Sequence, residues 1–93
     1  MTIDEQYRKL EDTIRDYNPG ADFAHIRSAY EFAKQQHGDQ RRKSGEPYIT
    51  HPLAVAQIVA EELHLDSESI EAALLHDVIE DTPATYEDVA KLT

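Results

Sequence analysis

Apolar residues recur along this chain at helical spacing. Ile3, Tyr7, Leu10 and Ile14 follow one another at intervals of four, three and four, which is one face of an amphipathic helix. Asn18-Pro19-Gly20 breaks that pattern. Asp22 is placed to cap a second helix, with Phe23, Ile26, Tyr30 and Ala33 on its inner side and Gly38 as its stop. Residues 38–50 carry charge, Ser, Gly and Pro without a period and read as a loop, where Gly45 and Pro47 disfavour a regular strand. Pro52 suits the first turn of a third helix, which continues through Leu53, Ala56, Ile58, Val59 and Leu63. A link at His64-Leu65-Asp66 leads to Ser67, the expected N-cap of a fourth helix whose apolar face is Ile70, Ala73, Leu74 and Val78. Pro83 separates this helix from a last short one, where Thr85 and Asp88 have capping-box spacing. No segment alternates as a strand should and none repeats, so the pattern predicts an all-α fold.

Size and charge narrow the functions such a fold can serve. Ninety-three residues make at most one domain. The chain stops at Thr93, soon after the last predicted helix begins, so residues 1–93 are expected to be the N-terminal portion of a single larger domain. Nineteen acidic residues against nine basic ones, a formal charge of −10, argue against DNA or RNA duplexes and anionic membranes as partners. A small phosphorylated ligand stays possible, because a divalent cation and a local basic cluster can reverse the field in one pocket. Arg41-Arg42-Lys43 is the one cluster of that kind. The chain has no cysteine, and hence neither disulfide nor thiolate chemistry, which is compatible with a reducing cytoplasm. Its N-terminus is polar and acidic, unlike a signal peptide, and no apolar run approaches the roughly 20 residues of a membrane helix.

The chemistry concentrates in Leu74-Leu75-His76-Asp77-Val78-Ile79-Glu80-Asp81. Asp77 follows Ala73 by four and Leu74 by three, which puts a carboxylate on the apolar stripe. Alone there, it would be desolvated and its pKa raised; a cation beside it removes that penalty. His76 flanks the same seam about 100° round the helix. Imidazole and carboxylate are both ligands for Mn²⁺, Fe²⁺ or Zn²⁺. Glu80 and Asp81 fall one turn further on, where carboxylates could orient water or move a proton. The residues alone also admit a plainer reading, with Glu80-Asp81-Thr82-Pro83 as a solvated helix exit, His51 as a cap or packing residue, and Arg41-Arg42-Lys43-Ser44-Gly45 as a solvated basic loop. His25, His37 and His64 read as surface or packing residues.

Taken together and in order, His37-Gly38, Arg42-Lys43-Ser44-Gly45-Glu46-Pro47-Tyr48-Ile49, His51-Pro52 and Leu75-His76-Asp77-Val78-Ile79-Glu80-Asp81-Thr82 resemble the start of the hydrolase domain of RelA/SpoT alarmone enzymes. That family is a branch of the HD-domain metal phosphohydrolases. The resemblance runs from about Ala29 to Thr93. It implies a helical HD fold and hydrolysis of the 3′-pyrophosphate of guanosine tetra- or pentaphosphate (ppGpp, pppGpp) to GDP or GTP and pyrophosphate. It further implies Mn²⁺ held at His51, His76 and Asp77, with Glu80 and Asp81 activating the attacking water. Arg42, Lys43 and Ser44 would hold the nucleotide, the arginine packed on guanine. The family also uses a later aspartate beyond Thr93, which Asp88 does not match, so the 93 residues alone are expected to be weakly active or inactive. Competing expectations are an HD phosphohydrolase for another nucleotide, which has no need of the Arg42–Tyr48 loop, and a non-catalytic nucleotide-binding or regulatory module.

Overall fold

The computed structural model describes residues 2–38, 40–76 and 78. Within them the chain forms α1 (Ile3–Tyr17), α2 (Phe23–His37), α3 (Thr50–Ile58) running into a π-helical turn (Val59–Leu63), and α4 (Ser67–Leu75). Helix α4 is the hub, packed on both α2 and α3, while α1 lies across α3 and the π turn. The predicted stripes supply much of the core: Tyr7, Leu10 and Ile14 from α1, Ile26, Tyr30 and Ala33 from α2, Leu53 and Ala56 from α3, and Ile70 and Leu74 from α4, joined by Ala29, while Ile3, Phe23 and Ala73 are only partly buried against it. Val78, also predicted on the inner face, is fully buried.

The caps follow side-chain chemistry. At the start of α1, Thr2 and Glu5 form a reciprocal capping box, with the Glu5 amide donating to Thr2 Oγ1 at 3.1 Å and the Thr2 amide donating to Glu5 at 3.2 Å. Asp22 caps α2 as expected, accepting from the His25 amide at 3.1 Å. The N-cap of α4 is Asp66, not Ser67. Asp66 has the extended backbone a cap requires and accepts from the Ser69 amide at 2.9 Å. Ser67 is the first helical residue, and its hydroxyl instead accepts from the Asp22 amide at 3.1 Å, tying α4 to the start of α2.

The third helix also departs from expectation. Its α-helical part ends at Ile58, and the next five residues wind as a π turn that closes on His64 in the left-handed conformation. Ile58 and Leu63, expected among the apolar residues of this helix, are both more than half exposed; Ile58 lies two residues, about 200° round, from buried Ala56. The ring of Tyr17 stacks on His64 at 4.7 Å, and its hydroxyl donates to the Leu65 carbonyl at 2.8 Å. Two further ties bind α1 to this region: Gln6 Nε2 donates to the Thr50 carbonyl at 3.2 Å, and Gln57 Nε2 donates to Thr13 Oγ1 at 2.8 Å.

Long side chains join α1 to α2. Tyr7 and Tyr30 stack face to face with centroids 4.1 Å apart. Glu11, on the same stripe and almost fully buried, receives a forked contact from the Arg27 guanidinium at 2.8 and 3.1 Å. Asp4 accepts from the Tyr30 hydroxyl at 2.8 Å. The expected last helix, with Thr85 and Asp88, lies outside the described residues.

Candidate functional site

The loop between α2 and α3 is folded by its own backbone. Gly38 takes a positive φ of 51° that turns the chain out of α2. The Tyr48 amide donates to the Gln40 carbonyl at 2.9 Å and Arg41 bridges Pro47, so the loop is pinched at its neck without becoming a strand. Beyond the neck, the Arg42 amide donates to the Glu46 carbonyl at 2.9 Å and the Gly45 amide to the Arg42 carbonyl at 2.8 Å. This tight turn displays Arg42, Lys43 and Ser44 side by side, all exposed. Among the described residues, no carboxylate pairs with Arg41, Arg42 or Lys43.

The three predicted nucleotide-holding residues share one cleft with a predicted metal ligand. Arg41, Arg42, Lys43, Ser44, Tyr48 and His51 line a space of about 580 Å³. His51 lies in the first turn of α3, where the Tyr48 carbonyl accepts from its amide at 3.0 Å. From there its ring faces His76, at the C-terminal end of α4, with centroids 5.9 Å apart. Two residues 25 positions apart in sequence are thus brought together by the packing of α3 on α4.

The separation of the pair is compatible with a shared cation. With metal–nitrogen bonds of about 2.1 Å, two imidazoles on one ion have centroids roughly 4.5–6.4 Å apart, a window that includes the observed separation. His76 Nδ1 lies 2.9 Å from the Ala73 carbonyl. A carbonyl can only accept, so this bond keeps the proton on Nδ1 and makes Nε2 the basic nitrogen of the neutral ring. Histidine ligands are commonly oriented by such a bond. Among the described residues, no three His, Cys, Asp or Glu side chains form a ligand set. Asp77, the predicted third ligand, and Glu80 and Asp81, the predicted water-activating pair, lie outside the described residues.

Two cleft neighbours were not singled out from the sequence as site residues. Tyr48 lines the cleft and sets its ring edge-on to His51 at 6.1 Å. His37 is fully buried at the end of α2, with its ring 4.6 Å from that of Tyr48. Its position four residues after Ala33 continues the α2 stripe, which was the available signal. His25, read as a surface or packing residue, is half-exposed and lies 3.5 Å from Asp22 and 3.8 Å from Glu71. Among the described residues, no helix is long and apolar enough to cross a membrane.

Residues 29–93 match the family described as HD domain. Over 86 residues, 92% of the chain, it is 54% identical to the bifunctional (p)ppGpp synthase/hydrolase SpoT of Escherichia coli, covering 12% of that protein. It is 62% identical over 64 residues, 69% of the chain, to the guanosine-3′,5′-bis(diphosphate) 3′-pyrophosphohydrolase of Aquifex aeolicus, covering 9% of it. The GTP pyrophosphokinase rsh of Brucella ovis is 46% identical over 87 residues, 94% of the chain and 11% of that protein. The chain therefore spans about a tenth of the length of these relatives. The RelA/SpoT resemblance drawn from the motifs holds across most of the chain, and, matched from Ala29 to Thr93, the chain belongs to the HD domain family.

Proposed function

We propose that this chain carries part of the active site of a Mn²⁺-dependent hydrolase, of cytoplasmic location, that removes the 3′-pyrophosphate of ppGpp or pppGpp. The products are pyrophosphate and GDP or GTP. The observation that carries the reading is the shared cleft, in which the Arg42–Lys43–Ser44 turn and His51 line one space while His51 faces His76. The names of the relatives, SpoT and the pyrophosphohydrolase among them, support the substrate.

In this reading His51, His76 and Asp77 hold the divalent ion. Bound there, the ion would lower the pKa of a water and offset phosphate charge. The Ala73 carbonyl orients His76 through Nδ1 and leaves Nε2 as the nitrogen that would hold the ion. Arg42 offers a planar guanidinium to stack on guanine, Lys43 a point charge for phosphate, and Ser44 a hydroxyl donor. Glu80 and Asp81 orient the attacking water and take its proton. The 93-residue chain is acidic overall, so this cationic turn provides the local attraction that the net charge of −10 denies elsewhere on it.

The test is ppGpp hydrolysis and Mn²⁺ binding by the chain, alone and within the longest reading frame that carries it. The expected outcome is Mn²⁺-dependent pyrophosphate release from the longer protein, much weaker release from the 93 residues, and loss of at least about a hundredfold in His76→Ala. Mn²⁺ binding unchanged by both His76→Ala and Asp77→Ala would overturn the catalytic reading and favour a binding module. Preference for a simple deoxynucleotide over ppGpp would move the assignment to another HD phosphohydrolase.

A further inference from the structure

We infer that His37 is a positioning residue for this site, holding the neck of the 40–48 loop and, through Tyr48, the ring of His51. The role in binding rests on the reading of that loop as the nucleotide grip; the role at the neck does not.

The contacts form a series. His37 Nδ1 lies 3.0 Å from Gln40 Oε1, at the point where the chain enters the loop. The same ring packs against Tyr48, where the chain leaves it, at 4.6 Å. Gln40 and Tyr48 are the residues whose backbones close the neck. One side chain therefore grips both sides of the pinch that displays Arg42, Lys43 and Ser44. Tyr48 passes the constraint on to His51, and His51 faces His76.

Packing alone does not account for an imidazole here. The position continues an apolar stripe and is 2% exposed, so a phenyl or isobutyl group would fill it without burying polar atoms. The His37 Nε2 is buried with no hydrogen-bond partner among the described residues. Leaving a buried polar atom unmatched opposes folding. The compensating interaction is the Nδ1 contact with Gln40, which acts on the loop.

Three variants separate the contacts. His37→Phe keeps a ring against Tyr48 and removes the Gln40 contact. Gln40→Ala removes that contact from a half-exposed position with little threat to folding. His37→Ala removes both contacts. Hydrogen exchange is followed at the Arg42, Gly45 and Tyr48 amides of the full chain, alongside ppGpp affinity and Mn²⁺ affinity by electron paramagnetic resonance. In His37→Phe and Gln40→Ala the loop amides are expected to exchange about tenfold faster and ppGpp to bind about tenfold more weakly, with Mn²⁺ affinity within about twofold. His37→Ala is expected to weaken Mn²⁺ as well, because Tyr48 loses its support. Wild-type exchange at these amides in both His37→Phe and Gln40→Ala would overturn the inference. So would acceleration spread evenly over all helices in step with a lowered melting temperature. If the wild-type chain binds no ppGpp while the loop amides still respond, the nucleotide reading fails and the neck role stands.

Discussion

Gly45 carries the sharpest local demand in the loop. Its φ of 88° belongs to a region that side-chain-bearing residues avoid, although nothing lies within 4 Å of where a Cβ would sit. The penalty for Gly45→Ala is therefore in the backbone, on the order of 1 kcal/mol, and falls on the turn that presents Arg42 and Lys43. We expect this variant to keep its helices by circular dichroism and to bind ppGpp about fivefold more weakly in a titration. Unchanged affinity would show that the turn is not part of the binding surface. At this scale the cleft residues were legible only as a set: Arg42, Lys43, Ser44 and His51 each admit a plainer reading alone, and their order ahead of His76-Asp77, which resembles the RelA/SpoT pattern, is what singles them out. Glu11 was not legible, since a carboxylate on a surface helix reads as solvated until Arg27 is seen above it. His37 reads as a surface or packing residue, and Tyr48 only as part of the loop motif, because their contact with each other is not revealed by spacing.

Among elements, the helices were predictable where one face is apolar and the ends are punctuated. The stripes of α1 and α2, the Asp22 cap and the Gly38 stop needed only the 3.6-residue period and simple capping chemistry. The Thr2–Glu5 box is written in the sequence as Thr-x-x-Glu, ahead of the apolar stripe of α1. Removing it with Thr2→Ala should cost about 1 kcal/mol, seen as a fall of roughly 4–8 °C in the thermal midpoint. A midpoint within a degree of wild type would mean that the ties from α1 to α3 hold the helix without its cap. The π turn was not legible, because Val59–Leu63 continues the composition of a helix. What alters the winding is tertiary: Tyr17 catches the chain at His64 and Leu65. Asp66 and Ser67 are both good caps by residue type, and the choice between them was settled by Asp22, whose amide recruits the Ser67 hydroxyl.

For the molecule as a whole, acid should act, among the described residues, mainly through four carboxylates. Asp4 is held below its ordinary value by the Tyr30 hydroxyl and Lys34, Glu5 by Thr2, and Asp66 by the Ser69 amide. Burial works to raise Glu11, but the nearby Tyr7 hydroxyl and the Arg27 and Arg15 guanidinium groups outweigh it and leave it lowered. Unfolding returns these groups to 3.8 for aspartate and 4.5 for glutamate. Their contribution is complete above those values and is lost as pH falls through the lower folded ones. Glu71 runs the other way: burial raises it, so its ionised form opposes folding and protonation relieves that cost. We expect a thermal midpoint that is level or slightly rising from about pH 7 to 5 and then falls below about pH 4. Glu11→Gln should flatten that acid limb; an unchanged slope would remove Glu11 from the explanation.

The ties from Gln6 to Thr50, Gln57 to Thr13 and Tyr17 to Leu65 make α1 a splint riveted along its length. One residue inserted between Gln6 and Thr13 would rotate everything after it by about 100°, so the remaining rivets would miss their holes. The helix precedes the HD match, which begins at Ala29, yet its length is as constrained as its greasy side. Evolution can repaint this rod but cannot cheaply lengthen or trim it.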